Sequence, residues 1–201
     1  RGDGYTIGTA GASNLGTLLA TSEKMPYTLK EFSGVARVYT IPMILVTKKG
    51  RFENFAAVVK EAKQKKGGII FGSWGSKSTS HIVGELINQV VGIKMKHLSF
   101  EGGAKAMVAA MGGHSDIAIS TISTSQANLK AGNLTALAVT SPNRVEDFPE
   151  VPTLKDLGYG DATFVSYDGL VASAKVPKDR LAIINGAVEK SVNDAEIKDA
   201  L

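Results

Sequence analysis

Hydrophobic positions along the chain alternate between two patterns, one typical of strands and the other typical of amphipathic helices. Short β-branched runs such as 69–71 lead into segments where apolar residues return every three or four positions, as in 82–91. Glycine-rich turns separate many of these segments. Because strands alternate with helices of about ten residues, we expect an α/β architecture with a mostly parallel sheet.

The pattern predicts eight strands and seven helices, and Pro42 separates the second and third strands. The strands are expected at 5–9, 35–39, 43–46, 69–71, 93–99, 116–120, 134–140 and 165–172. The helices are expected at 14–19, 52–62, 82–91, 104–111 and 124–131, beyond Pro177 around 181–188, and from 194 to 201.

The segment 71–81 joins a predicted strand to the helix at 82–91 and is built largely from glycine and small hydroxyl residues. The first backbone N–H groups of a helix have no partner inside it, and the macrodipole is positive at that end. This combination predicts an anion-binding site. A second unit of this kind follows, with Gly102-Gly103 in its turn. In α/β sheets, ligands bind at the carboxyl ends of the strands, where both turns would lie.

Composition narrows the possible functions. The 201 residues carry a net charge of +4 and no cysteine, which excludes disulfides and thiolate metal sites. No run approaches the ~18 apolar residues of a membrane span. The basic residues are scattered except at 63–66, which we interpret as a solvated helix end rather than a nucleic-acid patch. The three histidines lack metal-ligand spacing, and nothing indicates a cofactor.

A catalytic interpretation rests on Ser76 or Ser78 with His81, as in a hydrolase or isomerase. Neighbours on the first turn of a helix point in different directions, and no G-x-S-x-G elbow is present, so the pairing is poor. His81 is either a capping or packing residue of that turn or a donor to a bound anion. Trp74 either packs between loop and sheet or covers a ligand.

Seven sequence blocks follow one another in the order found in a known family. They lie at 3–6, 72–86, 102–104, 112–116, 131–144, 149–159 and 169–170 and include Asp-Gly-Tyr-Thr at the start and Gly-Gly-Ala at 102–104. Together they resemble the solute-binding receptors of tripartite tricarboxylate transporters, the Bug-type extracytoplasmic receptors. The resemblance covers nearly the whole chain.

The resemblance implies a type II periplasmic binding protein of two lobes, each with a mostly parallel sheet flanked by helices. Lobe 1 would contain residues 1–46 and 168–201, and lobe 2 residues 47–167. Such a receptor is a periplasmic, monomeric, non-enzymatic protein without a cofactor. It captures a small organic carboxylate between its lobes and delivers it to the membrane subunits of a tripartite transporter. Family chains begin some tens of residues earlier and continue past position 201, so we expect this chain to be incomplete at both ends.

The resemblance also indicates the ligand contacts. Lobe 1 would contribute Thr9, Ala10 and Gly11. The contacts of lobe 2 would be Ser73, Ser76, Ser78, Thr79, His81, Gly102, Gly103, Ser120 and Thr121. Glu101 stands where the family commonly has lysine, and its carboxylate would repel an anion unless it points to solvent. An effector-sensing domain of a LysR-type regulator, which shares these lobes but needs a preceding helix-turn-helix segment, remains an alternative.

Overall fold

The computed structural model describes residues 2–65 and 68–200. Lys66, the last residue of the predicted basic cluster, lies outside them. The chain divides into two compact units, one formed by Arg1–Ile41 and Ser166–Leu201 and the other by Pro42–Val165. Within the described ranges, no helix is both long and apolar enough to cross a membrane. The assignment of the chain to two receptor lobes stays a prediction.

Unit 1 contains a small sheet in which β1 (Ile7–Gly11) pairs antiparallel with β7 (Val165–Ser173), and β7 lies next to β2 (Phe32–Lys48). Buried Val35, Ala172 and Val176 form its core, against which the apolar side of helix α6 (Lys178–Val192) packs. The elements of unit 1 are β1 (Ile7–Gly11), a π-helical turn (Ser13–Thr17), α1 (Leu18–Thr21), the first part of β2 (Phe32–Lys48), β7 (Val165–Ser173), α6 (Lys178–Val192) and α7 (Ala195–Ala200).

Unit 2 contains the rest of β2 and most of the strand and helix pairs. Helical crossovers link four of its strands, as the hydrophobic pattern predicts: β3 (Ile70–Ser73), β4 (Lys96–Ser99), β5 (Ile117–Thr121) and β6 (Leu134–Val139). The further elements of unit 2 are α2 (Phe55–Gln64), β3 (Ile70–Ser73), α3 (Thr79–Val91), β4 (Lys96–Ser99), α4 (Gly103–Gly112), β5 (Ile117–Thr121), α5 (Ile122–Lys130) and β6 (Leu134–Val139).

The α/β class is confirmed, but parallel pairing is confined to part of the sheet. Strand β3 runs parallel to β4 and β5, whereas β2 runs antiparallel to both β5 and β6. Helical crossovers produce parallel neighbours, so β3 to β6 share one direction. The neighbours β1 and β7 come from opposite ends of the chain, and no single crossover helix joins them. A crossover helix therefore does not force β1 and β7 to run parallel, and they pair antiparallel.

The two strands predicted on either side of Pro42 form one continuous strand, β2. Proline cannot donate a ladder hydrogen bond and is tolerated where pairing changes. Pro42 lies at the boundary between the units, directly before Met43, where the pairing with β5 begins. The sequence-based expectation of two separate strands was therefore wrong.

The sheet of unit 2 has a hydrophobic core on each face. Side chains alternate along the strands: Leu45 belongs to the core shared with α2 and α3, and Val46 to the core shared with α4. Strand β5 alternates in the same way, since Ile119 lies on the first face and Ala118 on the second. Unit 2 therefore has three layers, and its helices begin at the edges of the sheet.

Candidate anion-binding site

Three helices of unit 2 begin next to the carboxyl ends of strands β3, β4 and β5. The parallel register places Ser73 at the end of β3 opposite Ser99 at the end of β4. Helix α3 follows β3 after a short loop, α4 follows β4, and α5 follows β5 directly. The positive ends of three helix macrodipoles are therefore located at one edge of the sheet.

The three helix N-termini differ in how they are capped. The Ser78 hydroxyl accepts a hydrogen bond from the backbone N–H of His81 (3.3 Å) at the start of α3. The Thr121 hydroxyl accepts one from the N–H of Thr124 (3.3 Å) at the start of α5. Helix α4 follows Gly102, whose φ of +106° suits glycine, and no side chain of the described residues caps it. The first N–H groups of α4 therefore have no side-chain cap among the described residues and can bond to an outside acceptor.

Ser120 lies beside this open helix end. A Cβ atom added to Gly103 would lie 3.6 Å from the Ser120 hydroxyl oxygen. That oxygen is fully buried and makes no hydrogen bond with any described residue. Because an unsatisfied buried hydroxyl costs about 1–3 kcal/mol, it is an energetically strong candidate for contact with a bound oxygen atom. Gly103 and Ser120, both expected contacts, thus lie together, and Thr121 is the next residue of β5.

The hydroxyl groups of the β3–α3 loop bond mainly within the loop and its neighbours. The buried Ser73 hydroxyl donates to Gly75 O (3.0 Å) or to His97 Nε2 (2.6 Å). The oxygen of Ser78 lies 3.0 Å from that of Ser80. These bonds fix the conformation of the loop, so Ser73 and Ser78 support the site whether or not they contact a ligand.

The remaining loop candidates differ in exposure. Ser76 is exposed in the turn, whereas Thr79, the first residue of α3, is buried. Trp74 is half-buried and packs against the core shared with α2 and α3, in line with the packing interpretation. The assignment of Ser76 and Thr79 as ligand contacts stays a prediction.

His81 packs within the unit and supports the loop. Its Nδ1 accepts a hydrogen bond from the backbone N–H of Lys77 (3.0 Å). Its ring stacks on that of His97, with centroids 3.7 Å apart and planes at 12°. Its Nε2 lies 3.8 Å from a carboxylate oxygen of Glu85. The geometry therefore favours the packing interpretation of His81 over that of an anion donor.

His97 is the residue of this region that sequence reasoning missed. Burial lowers its pKa, the neighbouring His81 lowers it further, and Glu85 opposes the change. Its contact with Ser73 at 2.6 Å is a close serine–histidine pair, but the Ser73 hydroxyl also bonds to the Gly75 carbonyl and so holds the loop. The only signal in the sequence was the alternation of β4, which places His97 opposite Phe71 once the strands are paired.

Glu101 is exposed to solvent and paired with a lysine. Its side chain is 90% exposed, and its carboxylate forms an ion pair with the Lys105 ammonium group at 2.6 Å. The lysine offsets the negative charge one helical turn along α4. The carboxylate therefore points to solvent, the arrangement that leaves an anion site usable.

The expected contacts of unit 1 line a cavity of about 450 Å³. Ala10 is buried in β1, and the register of β1 with β7 places Gly11 opposite Asp168. The residues that line this cavity are Thr9, Ala10, Gly11, Asn14, Val38, Tyr39, Asp168, Gly169 and Leu170.

Comparison with known proteins identifies the family. The family model described as "Tripartite tricarboxylate transporter family receptor" matches residues 1–201. The chain belongs to this receptor family. A UPF0065 protein of Bordetella bronchiseptica is 29% identical over 197 residues, covering 97% of this chain, and protein BugT of Bordetella pertussis is 25% identical over 201 residues, covering 98%. The chain spans 58% of the length of the first relative and 62% of the second.

Solved structures of the receptor family share the fold. A TctC solute-binding protein from Polaromonas has 25% identity and a TM-score of 0.86, over 100% of this chain and 68% of that protein. Rpa4515 of R. palustris, solved with adipate, has 22% identity and a TM-score of 0.87, over 100% and 68%. MatC of Rhodopseudomonas palustris, solved with malate, has 21% identity and a TM-score of 0.83, over 98% and 68%. These similarities confirm the expected periplasmic-binding-protein fold.

Proposed function

We propose that the protein is an extracytoplasmic solute-binding receptor that captures a small organic carboxylate and delivers it to a tripartite membrane transporter. The observation that carries the proposal is the open N-terminus of α4 beside the buried hydroxyl of Ser120. An oxyanion placed there would accept hydrogen bonds from backbone N–H groups of the first turn of α4 and from Ser120. The helix end itself would add about 0.3–1 kcal/mol of favourable interaction with the negative charge.

Membership of the receptor family and the ligands of structural neighbours support this choice. MatC has been solved with malate and Rpa4515 with adipate, both small dicarboxylates. The shared fold and an anion site built from backbone donors fit ligands of the same chemical class. Backbone amides accept any carboxylate, so this site supports the class and leaves the individual compound open.

A binding role also fits the arrangement of the polar side chains better than catalysis does. The Ser73 hydroxyl that contacts His97 also bonds to the Gly75 carbonyl, and the His81 ring accepts a hydrogen bond from the Lys77 backbone and stacks on His97. Family membership leaves the LysR-type alternative without support. A periplasmic location, a monomeric state and a ligand enclosed by two lobes remain parts of the proposal. Ligand-driven closure would follow as a population shift toward the state that binds the carboxylate more tightly.

The test compares two buried serines of unit 2 that both lack a hydrogen-bond partner among the described residues. Ser120 lies beside the open end of α4, whereas Ser125 lies within α5. We expect Ser120→Ala to weaken carboxylate binding about tenfold or more, because a hydrogen bond to a charged group contributes about 1.5–3 kcal/mol. Ser125→Ala should leave the affinity unchanged. Calorimetry of the full-length protein against malate, adipate and related acids measures both effects.

Gly103→Ala provides a second variant. Its added methyl group would be in ordinary contact with Ser120, so the fold should be kept while the open helix end is partly covered. Equal carboxylate affinities for the wild type and Ser120→Ala would show that the proposed site is wrong. Failure of every carboxylate in the panel to bind would overturn the proposed function itself.

A further inference from the structure

Exposed lysines concentrate at one edge of the sheet of unit 2. The net charge of +4 lies entirely in residues 42–165, because 1–41 and 166–201 together carry equal numbers of basic and acidic residues. Lys63 and Lys65 lie at the end of α2, and Lys94 and Lys96 lie just before and at the start of β4. All four side chains are exposed. We call these four residues the lysine edge.

Backbone pairing brings the two pairs of lysines together. The Gly68 N–H donates to the Lys65 carbonyl oxygen at 2.8 Å, and the Lys96 N–H donates to that of Ile69 at 2.7 Å. These bonds connect the end of α2 to the start of β4 through residues 68–69. The amino ends of the parallel strands β3 and β4 lie here, whereas the candidate anion-binding site lies at their carboxyl ends. The lysine edge and that site are therefore at opposite edges of the same sheet.

A buried asparagine fixes the backbone that carries Lys94 and Lys96. Asn88 Nδ2 donates to the Met95 carbonyl oxygen (3.1 Å), and Asn88 Oδ1 accepts a hydrogen bond from the Met95 N–H (2.8 Å). Ile93 and Met95 are buried, and successive side chains of an extended segment point to opposite sides. Lys94 and Lys96 therefore project to solvent on the same side, about 7 Å apart along the chain.

The positive charge of the lysine edge is not used within the molecule. No ion pair found among the described residues involves any of its four lysines. Lys65 acts electrostatically on Glu61, but that carboxylate bonds the Arg51 guanidinium with both oxygens. Asp116, which accepts from the Ile70 N–H at this edge, also bonds Arg51. The four lysines are therefore available to an outside anionic partner.

We propose that the lysine edge binds the anionic headgroups of a membrane surface and holds the protein close to the bilayer. Each lysine near an anionic surface strengthens such binding about fivefold. The attraction falls off within a Debye length, about 8 Å at physiological salt, so the contact is reversible. Because the candidate anion-binding site lies at the opposite edge of the sheet, this contact leaves it uncovered. The inference concerns where the protein is held and does not depend on which solute it carries.

The composition of the lysine edge favours a lipid surface over a protein partner. Interfaces between proteins are depleted in lysine and depend on aromatic and arginine anchors. The exposed residues beside the four lysines include Gln64, Gly68 and Gly92, which provide no such anchor. A lysine ammonium group is a point charge on a flexible stem. It suits a fluid surface of many separate anionic groups, because that surface requires no fixed geometry.

Flotation of the full-length protein with lipid vesicles tests the proposal. At about 50 mM salt the wild type should float with vesicles of equal parts phosphatidylglycerol and phosphatidylcholine, and at about 300 mM salt this binding should be lost. Vesicles of phosphatidylcholine alone should not bind it. A variant in which all four residues of the lysine edge are changed to glutamine should bind the anionic vesicles about a hundredfold more weakly.

The matched control removes the same amount of charge from unit 1. It changes four exposed lysines to glutamine: Lys24, Lys30, Lys178 and Lys190. This control has the same net charge as the lysine-edge variant and should keep most of the vesicle binding. Both variants should keep the wild-type affinity for carboxylates in calorimetry, so the result is independent of the proposed function.

Three outcomes would overturn the proposal. The first is a wild type that does not float with the anionic vesicles. The second is an equal loss of binding in the two variants, which would make net charge rather than the lysine edge responsible. The third is binding of polyglutamate through these lysines without binding to vesicles, which would identify an acidic protein segment as the partner.

Discussion

Helix α3 is held against the sheet of unit 2 at a position that only glycine can fill. A Cβ atom added to Gly84 would overlap two atoms of the Phe71 ring and would lie 2.7 Å from a third. Phe71 is completely buried, and its strand is paired on both sides, with β4 and β5. Its ring also lies against His97, with centroids 5.1 Å apart. Phe71 therefore has little room to move away from a larger residue.

Gly84→Ala should consequently destabilise the protein even though alanine favours helices. Nonbonded carbon atoms are best placed about 3.5–4.0 Å apart, so even the third contact is too short. Overpacking of a close-packed core costs about 1–3 kcal/mol, and the rigid surroundings of Phe71 indicate the upper end. The higher helix propensity of alanine, compared with glycine, offsets about 1 kcal/mol of this cost. We therefore expect a net loss of about 2 kcal/mol in the free energy of unfolding.

Urea unfolding followed by tryptophan fluorescence measures this change, because Trp74 is the single tryptophan and packs against the core of unit 2. Gly186→Ala in α6 is the helix-propensity control. Its added Cβ would meet nothing within 4 Å, so a thermal melt should show slight stabilisation. Phe71→Leu combined with Gly84→Ala should recover part of the loss, because the two sites are in contact. A Gly84→Ala protein as stable as wild type would refute the packing argument.

Two further predictions concern charged groups of unit 2. The Arg51 guanidinium bonds both carboxylate oxygens of Glu61 (2.7 and 2.8 Å) and also Asp116 (2.8 Å), and it lowers the pKa of Glu61. Arg51→Met should lower the free energy of unfolding, measured with urea, by about 1.5–3 kcal/mol. Arg51→Lys should recover only part of this loss, because lysine lacks the forked geometry of the guanidinium group. Unchanged unfolding in Arg51→Met would contradict this prediction. Burial and the neighbouring His81 hold the pKa of His97 below its usual 6.5, so the folded and unfolded states bind equal numbers of protons only well above pH 6.5. As the pH falls toward and below 6.5, the unfolded chain takes up the proton first, so stability declines. When the urea midpoint is measured against pH, His97→Gln should make this decline less steep. An equally steep decline in the variant would show that His97 is not its source.

Much of the fold was predictable because its determinants are local in sequence. The apolar spacing of 82–91 predicts α3, and Ser78 lies where a helix cap is expected, since helix periodicity and capping involve residues three or four positions apart. The turn at Gly102-Gly103 was predictable for the same reason, and it begins the helix whose open end carries the proposed site. The α/β class and the order of most elements follow from such signals, and family membership from the order of the sequence blocks.

Contacts between distant parts of the chain were decided only by the tertiary structure. The reversed direction of β2, the stacking of His81 on His97 and the position of Asp168 over Gly11 all depend on which strands become neighbours. Strand pairing brings together residues from opposite ends of the sequence, and no local pattern encodes the partner or the register. The sequence by itself therefore determined the family, most of the helices and the glycine turn at the start of α4. The tertiary structure decided which hydroxyl lies beside that turn, which serine and histidine hold the loop, and that Asp168 lies opposite Gly11 in the cavity of unit 1.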